Sequence, residues 1–378
     1  MQKRFALKFI AVAALAVSAS ASFGQNTIKI ANIVELSGGG ATAGTNFKNG
    51  VELAVKEINA AGGVLGQKIQ TLTSDTQTNP GVAKGLTQKA VDDEVFAIFG
   101  PVYSGSIMVS MAESRRAEVP NFTGGEAASI TAQGNPYVFR TSFGQSTSFP
   151  KLARYISAKH KTLAVIYVNN DFGKGGRDAI AKSLDGSATK IVADISTDAG
   201  QVDFSAAVLK AKQSNADAVF VYTNEEESAR ALRELRKQGW NKPIIGETTL
   251  TGQKVIELAG DAANGAVAHV GLTVDAPQTK GFGAKFQQEY KYVSDHNGIK
   301  GYTGMYVLKA AIEKAGKLDR KAVAAALRNS TFTAKQHPGV LMDVSFDDKG
   351  DIDRESFMVE VKGGHQVVVD TLPALGKK

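Results

Sequence analysis

The chain has no cysteine. That excludes disulfides, thiolate metal sites, a cysteine nucleophile and a lipid-modified N-terminal cysteine. Histidine is scarce: His160, His269, His296, His337 and His365 are scattered, with no H-E-x-x-H pattern and no His/Asp cluster. No metal is therefore expected, and none of these histidines stands beside a catalytic-looking neighbour in sequence. Charge of one sign is nowhere concentrated, although charged residues make up 21% of the chain. A nucleic-acid partner is not expected, because such proteins gather Lys and Arg on one face. Beyond the first residues no apolar run approaches the ~20 residues that a membrane-spanning helix needs, so the mature protein is expected to be soluble.

The start of the chain is where the apolar residues gather. Lys3, Arg4 and Lys8 lead into the apolar run Phe9–Val17, and Ala19-Ser20-Ala21 fits a small-residue cleavage site. This is the pattern of a cleaved secretory signal peptide, taken here as residues 1–24. The run is too short to cross ~30 Å of hydrocarbon. Setting those three basic residues aside lowers the formal charge from +7 to about +4. With no cysteine to lipidate, the expectation is an exported protein free in a periplasm and monomeric.

The 378 residues suffice for two domains, and 43% hydrophobic residues suffice for large cores. Thr27–Val34 reads as a strand, and Phe47, Val51, Ala54, Val55 and Ile58 recur at helical spacing up to Gly62-Gly63. A strand at Lys68–Ser74, a helix from Pro80 and a strand at Val95–Phe99 follow. The order then returns: strands at Leu163–Val168, Lys190–Ile195 and Ala218–Tyr222, with helices at Phe204–Gln213 and Glu227–Gln238. Alternation of this kind predicts an α/β fold of two doubly wound, Rossmann-like lobes, each with a parallel sheet. The last third breaks the pattern, with helices near Gly281–Val293, Thr303–Ala315 and Arg320–Leu327. Strands near Leu341–Phe346, Phe357–Val361 and Gln366–Val369 follow, a mixture that could return to both lobes.

Strand ends of such lobes surround a cleft where ligands bind. The loop Ser37–Gly44, SGGGATAG, stands where a dinucleotide fingerprint belongs, but no acidic residue follows at the required distance, so no cofactor is expected. A glycine turn that lets backbone approach a small ligand is the better reading. In Phe99–Ser106, FGPVYSGS, Ser104 falls at a strand-to-helix turn. It is expected to cap a helix Ser106–Arg116 whose N–H groups favour an anion. A nucleophile elbow would need glycine where Val102 stands. Asp171 opens the matching turn of the second half, placing Phe172 toward the cleft. Glu225 and Glu226 lie in TNEEE at the end of the third strand of that half, and one of them is expected to face the ligand. Glu126, behind two glycines in PNFTGGEAASIT, is the lone carboxylate of its segment.

The segments IKIANIVELSG, ELAVKEINAAGGVLGQKIQ, PYVFRTSF, VNNDFGKGG and LAGDAANGAV, in this order, make the chain resemble the leucine/isoleucine/valine-binding family. These are type I periplasmic substrate-binding proteins of ABC importers. The resemblance implies two lobes joined by three hinge crossovers, residues 25–143 plus 273–353 and 144–272 plus 354–378. It implies no enzymatic activity, an amino-acid ligand (branched-chain or related, including aromatic) and a membrane permease as partner. It implies that Ser104 holds a ligand carboxylate, that the Gly124 carbonyl accepts from the ligand ammonium, and that Val102, Tyr103 and Phe172 line the pocket. The chain departs from the family at three positions. Glu126 replaces a threonine at the ammonium site. Thr248, in IGETTLTG, stands where a glutamate is usual, with Glu247 one residue away. Ala43 replaces an aromatic. Glu126 is accordingly expected to hold the ligand ammonium, with Glu225, Glu226, Glu247 and Thr248 competing for a contact from the other lobe. A receptor for a carboxylate or amide that is not an amino acid, a sensor module and an exported hydrolase remain as alternatives, the last disfavoured because no nucleophile and base are paired.

Overall fold

The computed structural model describes residues 27–376, so the signal peptide expected at residues 1–24 lies outside the described residues. Strand β1 (Ile28–Val34) is buried except at Lys29, as a central strand covered on both faces must be. Helix α1 (Ala41–Ala60) stops before Gly62 and Gly63, whose positive φ angles of 109° and 88° no helix continues. After β2 (Ile69–Asp75), α2 (Pro80–Asp92) starts on its proline, with the Asn79 side chain accepting from the N–H groups of Gly81 and Val82. β3 (Ala97–Phe99), α3 (Ser104–Arg116), β4 (Asn121–Thr123), the short α4 (Ala128–Ala132) and β5 (Val138–Arg140) complete a parallel sheet in the order β2-β1-β3-β4-β5. Across neighbouring strands Phe99 stacks on Phe122 at 5.0 Å, and Phe139 packs tilted against Phe122 at 5.7 Å.

The chain then crosses through α5 (Gln145–Ser157) into the second lobe: β6 (Thr162–Val168), α6 (Asp171–Leu184), β7 (Lys190–Thr197), α7 (Ser205–Gln213), β8 (Ala218–Tyr222), α8 (Glu225–Lys237), β9 (Ile244–Glu247), α9 (Gln253–Ala259) and β10 (Ala266–Val270). It returns with α10 (Lys280–Tyr290), α11 (His296–Ala315) and α12 (Arg320–Arg328), of which α11 lies along α1. The small pair β11 (Thr331–Phe332) and β12 (Val344–Ser345) follows. Finally β13 (Ser356–Lys362) and β14 (His365–Leu372) extend the second sheet, in the order β14-β13-β10-β9-β8-β6-β7. β13 is antiparallel to both its neighbours. This is the two-lobed α/β fold that the alternation predicts.

Two differences, both at helix starts, have local causes. Helix α8 begins at Glu225, not Glu227, because Asn224 and Glu227 form a reciprocal capping box. Helix α11 begins at His296, not Thr303, because the Asp295 carboxylate accepts from the N–H groups of Asn297 and Gly298. Its glycines disguise the start, yet they are what lets it lie on α1. A Cβ at Gly301 would come within 2.3 Å of the Phe47 carbonyl, and one at Gly50 within 2.0 Å of the Gly298 carbonyl. The strand expected at Leu341–Phe346 shrinks to Val344–Ser345. Where the chain passes between lobes, Arg140 is fully buried. It pairs with Asp351 and donates to the carbonyls of Gly125 and Ala127 at 3.0 and 3.1 Å.

Candidate functional site

A cavity of about 570 Å³ opens at the C-terminal ends of the strands of both sheets. The first lobe contributes Gly38, Gly39, Ala43 and the loops after β3 and β4. The second contributes Asn170, Phe172 and the start of α8, and α11 adds His296, Asn297 and Lys300.

The loop after β3 is held by an acid from the end of β1. Glu35, with no exposure, accepts from the N–H groups of Val102 and Tyr103 at 3.0 and 3.2 Å. Burial still pushes its carboxyl above the usual range. Helix α3 begins at Ser104 itself, with Tyr103 as its N-cap, so the expected serine cap does not form, and the Ser104 hydroxyl accepts from the Ala127 N–H at 3.3 Å. Ser104 lines the cavity at the positive end of the helix, where an anion is favoured. The Tyr103 hydroxyl donates to the Gly39 carbonyl at 2.9 Å and stands 3.3 Å from Glu225.

The loop after β4 meets α11. Lys300, 2% exposed, donates to the Gly124 carbonyl at 3.0 Å and to the Glu126 carboxylate at 2.8 Å. The Lys300 carbonyl in turn accepts from the Thr141 hydroxyl at 2.8 Å, fixing the helix at the crossover. The two groups expected to hold a ligand's ammonium thus hold the protein's own. Burial pushes the Glu126 carboxyl up to about 7; Lys300 pulls it down, and the adjacent carboxyl of Glu247 pushes it up.

The remaining carboxylates of the cavity come from α8. Glu226 pairs with Arg230 at 3.2 Å, and Glu227 accepts from the N–H groups of Asn224, at 2.9 Å, and Gly200. Glu225 is 6% exposed, and burial pushes it up to about 7. Phe172 stacks on Tyr222 with centroids 4.2 Å apart, and Gln145 Nε2 donates to the Phe172 carbonyl at 2.8 Å.

One arrangement corrects the sequence reading. Ser356 Oγ lies 2.9 Å from His269 Nε2, and His269 Nδ1 lies 3.2 Å from Glu247 Oε1, the order of groups that a hydrolase uses. So a histidine does stand beside a hydroxyl and a carboxyl. Ser356 and His269 have no exposure, neither lines the cavity, and burial holds the imidazole neutral by lowering it to about 3. The chain of contacts ties β9, β10 and β13 together with no path for a substrate. Among the described residues no group of three or more metal-ligating side chains occurs.

Of the residues singled out in the sequence, Val102, Tyr103, Ser104, Gly124, Glu126, Phe172, Glu225, Glu226 and Ala43 all line the cavity. Thr248 does not. It faces a separate small void, and its neighbour Thr249 lines the cavity instead. Glu247 is turned into the protein toward His269 and accepts from the Thr248 N–H at 2.6 Å. Sequence reasoning missed Lys300 and Glu35. The signal for Lys300 was a lysine set between Gly298 and Gly301, in a glycine-rich first half of a helix; Glu35 stood directly after the first strand, where a strand-end acid faces the cleft.

The periplasmic binding protein family model matches residues 27–366. The Leu/Ile/Val-binding protein BraC3 of Rhizobium johnstonii is 30% identical over 93% of this chain and 96% of its own. The branched-chain amino acid transporter substrate-binding protein of Streptococcus pneumoniae, solved with isoleucine, is 27% identical with a TM-score of 0.82, over 92% of this chain and 99% of that one. An ABC-transporter solute-binding protein of R. palustris, solved with benzoate, is similar in fold: TM-score 0.85, 23% identity, over 93% of this chain and 98% of that one.

Proposed function

The chain belongs to the periplasmic binding protein family, as the solute-binding component of an ABC transporter, and from that premise we propose that its ligand is a small carboxylate without an amine. One observation carries this reading: the Lys300 ammonium occupies the Gly124 carbonyl and the Glu126 carboxylate, at 3.0 and 2.8 Å. A ligand ammonium brought there would meet a like charge and find both acceptors engaged. What Lys300 still offers is a third N–H, since an ammonium carries three donors. The ligand must therefore present an acceptor: a carboxylate oxygen, or the 2-oxo group of an oxo acid. Ser104, at the start of α3, supplies the second donor set for the carboxylate. The Tyr103 and Phe172 rings and Val102 supply apolar walls, and Ala43 leaves room for an aromatic body. The fold houses both kinds of solute, since its neighbours hold isoleucine and benzoate.

Matched pairs test this reading, because an amino acid and its 2-oxo counterpart share a skeleton and differ only at the disputed group. Calorimetric titration of the mature protein with leucine against 4-methyl-2-oxopentanoate, and phenylalanine against phenylpyruvate, with benzoate alongside, is expected to favour the amine-free partner each time. Tighter binding of the amino acids overturns the reading. It would support a second one, favoured by the names of the relatives, in which Lys300 swings away and a branched-chain amino acid takes its place. Delivery to a permease is tested by uptake of the ligand in cells with and without the chain.

A further inference from the structure

We propose that Glu225, with the Tyr103 hydroxyl beside it, forms a second polar subsite that receives a hydroxyl group on the body of the ligand. This rests on the amine-free carboxylate reading and adds to it the substrate class: a hydroxylated aromatic acid. The cavity is lined by four carboxylates, and three are already engaged. Glu126 has Lys300, Glu226 has Arg230, and Glu227 has two backbone N–H groups of its own lobe. Glu225 has no ion-pair partner among the described residues: it has its own backbone N–H and the Tyr103 hydroxyl, at 3.3 Å, and that hydroxyl has the Gly39 carbonyl closer, at 2.9 Å. An ionised carboxyl accepts at about four lone-pair positions and a protonated one trades one of them for an O–H donor, so in either form a side chain only 6% exposed keeps open capacity turned into the cavity.

Position supports the same reading. Ser104 and Lys300 belong to the elements of the first lobe, whereas Glu225 opens α8 in the second. Tyr103 precedes Ser104 in the chain, and its hydroxyl stands a ring's length from the backbone, where it meets Glu225. The rings of Tyr103 and Phe172 flank the space between, a shape suited to a flat body with a polar group at each end. A hydroxyl suits this end better than an ammonium. The charged groups acting on Glu225 are Asp295 and Glu227, which raise its carboxyl, and Lys300, which lowers it. With burial they hold it near neutrality, so an uncharged donor binds without burying a second ionic pair. The single proton of the Tyr103 hydroxyl goes to the Gly39 carbonyl, which leaves the Glu225 carboxyl to accept from the ligand's O–H.

The test is titration of the mature protein with benzoate, 4-hydroxybenzoate and 4-(aminomethyl)benzoate, in wild type, Glu225→Ala and Glu225→Gln. The readout is the affinity ratio of the hydroxylated to the plain acid, which cancels general losses. Wild type is expected to prefer 4-hydroxybenzoate by roughly tenfold or more. The ratio should fall to near one in Glu225→Ala and remain well above one in Glu225→Gln, which keeps an acceptor. A wild-type ratio of one or less overturns the proposal without any variant, as does a ratio that survives in Glu225→Ala or a preference for the aminomethyl compound. Failure of the plain acid and of every 2-oxo acid to bind, with amino acids binding, overturns the carboxylate reading instead.

Discussion

Lys300 competes with any ligand amine for the same two oxygen acceptors, and that competition can be read by removing either partner. In Glu126→Gln the Gly124 carbonyl still holds Lys300, and the cavity loses a negative charge. Carboxylate affinity is expected to stay level or rise in titration calorimetry. A loss beyond about tenfold would mean that Glu126 itself holds the ligand. In Lys300→Met the same titration should weaken by about 10–100-fold, the value of a charge-assisted hydrogen bond. The variant should also melt lower, since a buried acid left alone costs about 3–5 kcal/mol. Glu225 makes a separate prediction about pH. Its carboxyl is raised from 4.5 to about 7 in the folded protein, so the folded state holds that proton more tightly than the unfolded chain does. The stability this contributes is complete below pH 4.5, declines as pH rises, and is gone above about 7. Glu225→Gln, which cannot ionise, should therefore melt above wild type at pH 8, with the gap closing toward pH 4.5. Parallel melting curves across that range would show that Glu225 is not held neutral.

Helix α11 reaches the cleft only because glycines let it sit on α1, so the placement of Lys300 is a property of the helix pair. A Cβ at Gly50 would meet the Gly298 carbonyl at 2.0 Å, and backbone cannot move aside as a side-chain tip can. Gly50→Ala is expected to cost about 1–3 kcal/mol of stability and to weaken carboxylate binding, although Gly50 does not line the cavity. Gly281→Ala on α10, where nothing lies within 4 Å, is the matched control and should melt at or above wild type. Unchanged binding in Gly50→Ala would show that α11 does not position Lys300. The same helix marks where sequence reading stops. Strands β1 and β8 and helix α1 were legible because their apolar spacing is unbroken and local. Strands β4 and β5, three residues each, are too short to show a period. The start of α11 was hidden by Gly298, Gly301 and Gly304, which weaken a helix in isolation and are explained only by what packs on them: α1 at Gly301, Ser294 at Gly298, Phe99 and Phe122 at Gly304. Ser104, Glu225 and Phe172 could be placed at the cavity because they sit at strand ends, where open sheets bind ligands. Lys300 could not, since its partner Glu126 is 174 residues away and a lysine on a helix ordinarily lies in solvent.

The two lobes act on each other's acids across the cavity: Tyr103 of the first meets Glu225 of the second at 3.3 Å, and Glu247 of the second raises Glu126 of the first. In this arrangement burial raises all three acids, Glu126 and Glu225 to about 7. An open cleft would hydrate them and return them toward 4.5. Closing then takes up protons wherever the open form is ionised and the closed form is not, between pH 4.5 and about 7. A ligand that selects the closed state inherits that linkage. Its affinity should be highest at the acid end of this range, fall as pH rises, and level off above about 7. An aromatic carboxylate stays ionised through most of that span, so its own titration does not account for the trend. Titration at pH 5.5 and pH 8 should differ by about tenfold or more for one proton taken up over most of that interval. Calorimetry in buffers of different ionisation enthalpy should register the uptake directly at pH 5.5 and lose it at pH 8. Glu225→Gln and Glu247→Gln should each flatten the profile, since neither can carry the extra proton. An affinity independent of pH, with no proton uptake, would mean that the carboxyls stay ionised when the lobes meet and that Lys300 alone neutralises them.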